Sequence, residues 1–110
     1  MKNNDKSLSL LSICQKAGKV KSGEYMTEAS VKGQAAFLVI VATDASANTK
    51  KEFRDMCSFY EVEYREYSTK ENLGQAIGKE ERASLAICDE GLSKSLLKNL
   101  DESISGKEQA

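Results

Sequence analysis

Ala36-Phe37-Leu38-Val39-Ile40-Val41-Ala42-Thr43 is the stretch on which the fold turns. It stays apolar up to Thr43 with no alternation of apolar and polar side chains, so a strand here must be covered on both faces. Ala83-Ser84-Leu85-Ala86-Ile87-Cys88 is a second run of the same kind. Lys19-Val20-Lys21 alternates instead, and residues 62–67 mix charge with apolar side chains, which suits the two edges of a sheet. Four strands follow, two interior and two at the edges.

Working outward, helical spacing fills the gaps. Leu10, Leu11, Cys14 and Ala17 share one helical face, with Ser7 as the expected cap and Gly18 as the stop. A second helix is expected from the turn at Ser22-Gly23 to Gly33, with Met26, Ala29 and Ser30 inward. Asp44 and Ser46 offer capping oxygens to a third, lined by Thr49, Phe53, Met56, Cys57 and Tyr60. Ser68-Thr69-Lys70-Glu71 matches a capping box in which Ser68 caps a fourth helix, with Leu73, Ala76 and Ile77 on its core face and Gly78 at its end. Asp89 caps a fifth, which packs through Leu92, Leu96, Leu97 and Leu100. The alternation of helix and strand predicts an α/β layered domain over residues 1–100, with helices on both faces of the sheet. Residues 101–110 are expected to be a polar, disordered tail.

The composition narrows the chemistry. At 110 residues and 40% hydrophobic content the chain supports one core, and two would leave each underfilled. Sixteen Lys and Arg against seventeen Asp and Glu give a net charge of -1, which excludes a wholly basic coat for nucleic acid. The charge is uneven, however: residues 1–33 hold six lysines and three acids, so a polyanion would meet a local patch. There is no His, which removes Ser-His-Asp and Cys-His nucleophile pairs and His-based metal sites. Cys14, Cys57 and Cys88 form no CxxC and are odd in number, which argues for buried, reduced thiols in a cytoplasmic setting. The apolar run at 35–42 is far short of the roughly 20 residues that span a bilayer, so no membrane is expected.

Two glycine-lysine pairs invite a phosphate-loop reading and fail it. In Gly74-Gln75-Ala76-Ile77-Gly78-Lys79, three residues separate the glycines where the loop needs four, and Glu80 stands where it needs a hydroxyl. The adjacent acids Glu80-Glu81 and Asp89-Glu90 point apart and read as solvated charge. Lys16, Lys19 and Lys21 are more informative, since they lie just ahead of a helix whose first amides are free. By itself this segment fits either a phosphate-binding edge or a solvated corner with no ligand.

The residues also carry a resemblance. Gln15-Lys16-Ala17-Gly18-Lys19, Ser22-Gly23-Glu24, Leu38-Val39-Ile40-Val41-Ala42-Thr43-Asp44-Ala45-Ser46, Asn48-Thr49-Lys50-Lys51, Leu73-Gly74-Gln75-Ala76-Ile77-Gly78-Lys79-Glu80 and the strand at 83–88 occur in an order that resembles the L7Ae/L30e ribosomal-protein family, and within it the small bacterial stand-alone branch. The likeness runs over residues 7–100. It implies a three-layer α/β/α sandwich with a four-stranded mixed sheet, and a non-catalytic activity: binding structured RNA, either ribosomal RNA or a kink-turn. It further implies a cytoplasmic monomer without cofactor, metal or membrane contact, beside ribosome- or translation-associated proteins.

In that family RNA meets the turn into the second helix and the loop before the last strand. The resemblance therefore implies a site of Lys19, Lys21, Gly23, Glu24, Tyr25 and Met26 together with Lys79, Glu80, Glu81 and Arg82. Kink-turn binders carry Gly-x-Asn-Glu-x-x-Lys at the first of these places. Here the glycine is Gly23, and Tyr25, Met26 and Ala29 stand at the Asn, Glu and Lys positions, so the base-reading carboxylate and the phosphate-binding charge are replaced. Two functional classes stay open: an RNA binder using an altered surface, and a protein-interaction module on the same scaffold.

Overall fold

The computed structural model describes the backbone of residues 5–109 and the side chains of residues 5–102; residues 1–4 of the expected domain and residue 110 lie outside them. Among the described residues nine elements alternate: α1 (Lys6–Lys16), β1 (Val20–Ser22), α2 (Glu24–Lys32), β2 (Leu38–Val41), α3 (Ala47–Tyr60), β3 (Glu63–Glu66), α4 (Lys70–Ala76), β4 (Ser84–Ile87) and α5 (Glu90–Gln109). The sheet order is β1-β4-β2-β3, so the two apolar strands are interior and the two charged ones are edges, as their patterns require. β4 runs antiparallel to both neighbours, with Lys21 opposite Ala86 and Ile40 opposite Leu85. β2 and β3 are parallel and joined through α3, because a parallel pair needs a crossover.

Every residue of β2 and β4 is buried. That is possible only with cover on both faces of the sheet. α2 and α3 pack together, α2 over β1 and β4 and α3 over β2 and β3, while α1 packs against α4 and α5 and α5 against β4. Leu11, Val31, Phe53, Leu73, Leu85 and Leu96 carry the helices onto the strands as part of one continuous core. Removing a side chain of Phe53's size from such a site costs about 3–5 kcal/mol.

Several local expectations are corrected. Asp5, not Ser7, caps α1, its carboxylate accepting from the amides of Ser7 (3.0 Å) and Leu8 (3.4 Å). Ser7 is buried instead and donates to Asn99 of α5 at 3.0 Å. The inward face of α2 is Thr27, Ser30 and Val31, whereas Met26 and Ala29 are exposed. In nine residues with few strong hydrophobes the periodicity is ambiguous by one position, and packing against β4 decides it. Thr69 caps α4 through the Asn72 amide at 3.1 Å from the extended backbone a cap adopts, whereas Ser68, at φ 62, is left-handed. The backbone of α5 runs as helix to Gln109, along most of the stretch read from the sequence as a polar tail.

Candidate nucleic-acid interface

The β1–α2 turn is built around Gly23. Its φ of 92° and ψ of 160° suit a residue without a side chain, and its amide donates to the Ser84 carbonyl of β4 at 3.0 Å. As the N-cap of α2 it supplies no side-chain oxygen, so no side chain caps the first amides of the helix. Glu24 opens the first turn, Tyr25 is 80% exposed and Met26 41%. An uncapped helix start of this kind presents partial positive charge and donors to an anion.

The second segment, Lys79-Glu80-Glu81-Arg82, is folded back onto the helix before it. The Lys79 amide donates to the Gly74 carbonyl at 2.8 Å and the Arg82 amide to the Lys70 carbonyl at 3.1 Å. A Cβ on Gly74 would collide with the Glu80 carbonyl, so the approach of loop to helix depends on the glycine. Arg82 then reaches across to β1: its Nε donates to the Ser22 hydroxyl at 3.1 Å, and one terminal nitrogen donates to the carbonyls of Glu81 (2.9 Å) and Glu80 (3.4 Å).

The β2–α3 and β3–α4 loops converge on the same end of the sheet. Thr43 donates through its amide (2.8 Å) and hydroxyl (2.6 Å) to the Ser68 carbonyl, and Asp44, expected as a helix cap, accepts from the Lys70 amide at 2.9 Å. Ser46 alone caps α3, through the Thr49 amide at 3.1 Å.

Of the residues expected at the site, the fold gathers Gly23, Glu24, Tyr25, Met26, Lys79, Glu80, Glu81 and Arg82 at one end of the sheet, with Lys21 in the strand leading to it. Lys19 is separated from them. Its carbonyl accepts from Cys88 at 2.8 Å, beyond the Val20–Ile87 pair at the opposite end of β1. Four residues of extended chain put it about 13 Å from Gly23. Ser22 and Lys70 were not among the site residues expected from the sequence, because both act through hydrogen bonds to Arg82 that span a dozen or more residues.

Charge is arranged to match. Among the described residues the ion pairs join Lys32 to Glu28, Lys50 and Arg54 to Glu66, Lys51 to Asp55, Arg65 to Glu63 and Asp101, and Lys94 to Glu90. None involves Lys21, Lys70, Lys79 or Arg82, and Lys21 and Lys79 are exposed. The two buried thiols are shifted away from activation: burial pushes Cys57 up to about 11 and raises Cys14, opposite to the shift of an activated nucleophile. All three cysteines are free, Cys14 and Cys57 buried and Cys88 partly exposed.

Comparison with known proteins agrees with this architecture. The sequence profile of the Ribosomal protein L7Ae/L30e/S12e/Gadd45 family matches residues 5–97. The chain is 38% identical to the RNA-binding protein YlxQ of Bacillus subtilis (strain 168) over 92 residues, covering 84% of this chain and 92% of that one. To the protein of the same name from Enterococcus faecium it is 39% identical over 92 residues, covering 84% and 88%. A Bacillus halodurans C protein described as having unknown function superposes with a TM-score of 0.86 at 34% identity, over 89% of this chain and 99% of that one. The Giardia lamblia 15.5kD RNA binding protein shares the fold, with a TM-score of 0.76 at 20% identity over 91% and 89% of the two chains.

Proposed function

We propose, from the premise that this chain belongs to the Ribosomal protein L7Ae/L30e/S12e/Gadd45 family, that it is a non-catalytic binder of structured RNA. The observation that carries the reading is the meeting of the Gly23 turn with the 79–82 loop, beside cations that no described carboxylate neutralises. RNA phosphates lie against Lys21, Lys79 and the start of α2, and Tyr25 offers a ring on which an unpaired base stacks. Arg82 borders this face, and Glu24, Glu80 and Glu81 limit how closely phosphates approach it.

The kink-turn is read in altered form. Tyr25, Met26 and Ala29 are all exposed on α2, yet none supplies the carboxylate or ammonium that would meet sheared G·A pairs and phosphate. With each bidentate base contact worth about 1–3 kcal/mol, losing two lowers affinity on the order of a hundredfold. What remains is dominated by phosphate contact and falls with salt. A ribosomal or other translation-associated RNA in the cytoplasm is the setting this reading favours, with the chain acting as a monomer.

Titration of a kink-turn hairpin and a plain hairpin of equal length at two salt concentrations tests the proposal. Salt-sensitive binding with weak preference for the kink-turn is expected. Tight kink-turn selectivity would reject the altered motif, and no binding to either RNA would favour the protein-interaction reading, for which the exposed Tyr25 and Met26 are the natural contact.

A further inference from the structure

We propose that Arg82 is a positioning residue, a clasp that sets the 79–82 loop relative to the Gly23 turn, and not a phosphate ligand. The inference rests on the RNA-binding reading and assigns a role within that face. Three elements meet at this residue. Its amide is held by the Lys70 carbonyl at the start of α4 (3.1 Å), its Nε by the Ser22 hydroxyl at the end of β1 (3.1 Å), and one terminal nitrogen by the Glu81 (2.9 Å) and Glu80 (3.4 Å) carbonyls.

A guanidinium is suited to this task because its donors form a rigid planar fork, so several acceptors fix one orientation of the side chain. Lysine offers a single mobile ammonium and cannot reach Ser22 and two loop carbonyls in the same geometry. Ser22 is the other half of the clasp. It directly precedes Gly23, whose amide is bound to Ser84, two residues after Arg82. The two RNA-facing segments are thus joined by a backbone bond on one side and by Arg82–Ser22 on the other. Arg82 is also only partly exposed, in contrast to Lys21 and Lys79, which stand free in solvent.

Removing the clasp frees the loop from the turn while leaving the core untouched. The consequence is a loss of affinity that charge alone does not restore. Ser22→Ala, which changes no charge, is the discriminating variant, with Arg82→Lys and the double variant completing a cycle. The probes are the kink-turn hairpin and the plain hairpin, each titrated at several salt concentrations.

Arg82→Lys is expected to weaken binding about tenfold with the salt slope unchanged, and Ser22→Ala about threefold to tenfold. The double variant should be no worse than Arg82→Lys. Wild-type affinity in Arg82→Lys, or additive losses in the double variant, would overturn the clasp. So would a slope reduced by about one in Arg82→Ala together with no effect of Ser22→Ala, which identifies a phosphate contact.

An RNA-free measurement separates this proposal from the one beneath it. Amide hydrogen exchange of Gly23, Lys79 and Arg82, whose N–H groups are bound to the Ser84, Gly74 and Lys70 carbonyls, should accelerate several-fold in the protein alone in both Ser22→Ala and Arg82→Lys, with exchange in β2 unchanged. Unaltered exchange would overturn the clasp even if RNA binds. Accelerated exchange in a protein that binds neither hairpin would sustain the clasp and reject RNA as its purpose.

Discussion

Gly74 lies directly beneath Glu80, with the helix backbone so close to the loop carbonyl that no Cβ fits between them. In most exposed helix positions replacing glycine with alanine is worth up to about 1 kcal/mol of stability. Here the obstacle is backbone, which cannot rotate away as a side chain would. Gly74→Ala should therefore destabilise by about 1–3 kcal/mol, in the range of an overpacked core, and displace the 79–82 loop. Urea denaturation measures the first effect and RNA titration the second; an alanine variant as stable as the parent would show that the loop yields freely.

The separation of Lys19, just before β1, from the Gly23 turn makes it unequal to Lys21 within the strand. Lys21→Ala and Lys79→Ala should each weaken binding to both hairpins and lower the salt slope by about one. Lys19→Ala, at the far end of β1, should have a clearly smaller effect. Equal losses from Lys19 and Lys21 would mean that the RNA runs along the strand edge and not across the loops.

Restoring the kink-turn pattern is the strictest test of the altered motif. Tyr25→Asn, Met26→Glu and Ala29→Lys all fall on exposed positions of α2, so the triple variant should fold as the parent does. Regaining two base contacts at about 1–3 kcal/mol each should raise kink-turn affinity by tenfold or more, with little change for the plain hairpin. Repulsion from Glu80 and Glu81 sets a ceiling on the gain. No increase in kink-turn selectivity would show that the surrounding loops, and not these three side chains, limit recognition.

Arg65 and Asp101 tie the edge strand β3 to α5 through bonds of 2.9 and 3.1 Å. These hydrogen bonds and the guanidinium charge hold the Asp101 carboxyl below its ordinary value. A depressed folded-state value means that the stabilisation is present above the unfolded carboxylate pKa, about 3.9, and is lost as pH falls through the lower one. Both groups are partly solvated, so the pair contributes only roughly 0.2–1 kcal/mol. The urea midpoint of Asp101→Asn should lie slightly below the parent's at pH 7 and converge with it towards pH 2; a gap that persists at pH 2 would assign the difference to packing.

Thiol accessibility gives a further check on the core. Burial holds the Cys57 thiol protonated, pushed up to about 11 and 1% exposed, and Cys14 is equally buried. A thiol reagent on the native protein should modify Cys88 first, with the other two reacting only through opening of the fold. Early labelling of Cys14 would show that α1 detaches readily.

The amino-acid sequence by itself determined the parts of this protein that depend on neighbours in the chain. Residues 36–43 and 83–88 could be read as interior strands because a segment without polar alternation has no face to give to water, whatever its partners. Helix caps at Ser46 and Asp89 were legible for a similar reason: a capping oxygen acts within a single turn, at 3.1 Å on Thr49 and 2.9 Å on Leu92. The two candidate segments around Gly23 and Lys79 were also visible, through family motifs carried in order along the chain.

Only the tertiary structure decided how those pieces meet. The insertion of β4 between β1 and β2 brings Arg82 to Ser22 across 60 positions of chain and sends Lys19 to the other end of the sheet. No local pattern encodes such a pairing, because its free energy comes from closing a shared core and not from any propensity at either residue. The same holds for Thr69 displacing Ser68 as a cap, for Val31 and not Ala29 turning inward, and for the glycine that lets a helix touch a loop. Each is a choice between locally near-equal alternatives, and packing against a distant element is what breaks the tie.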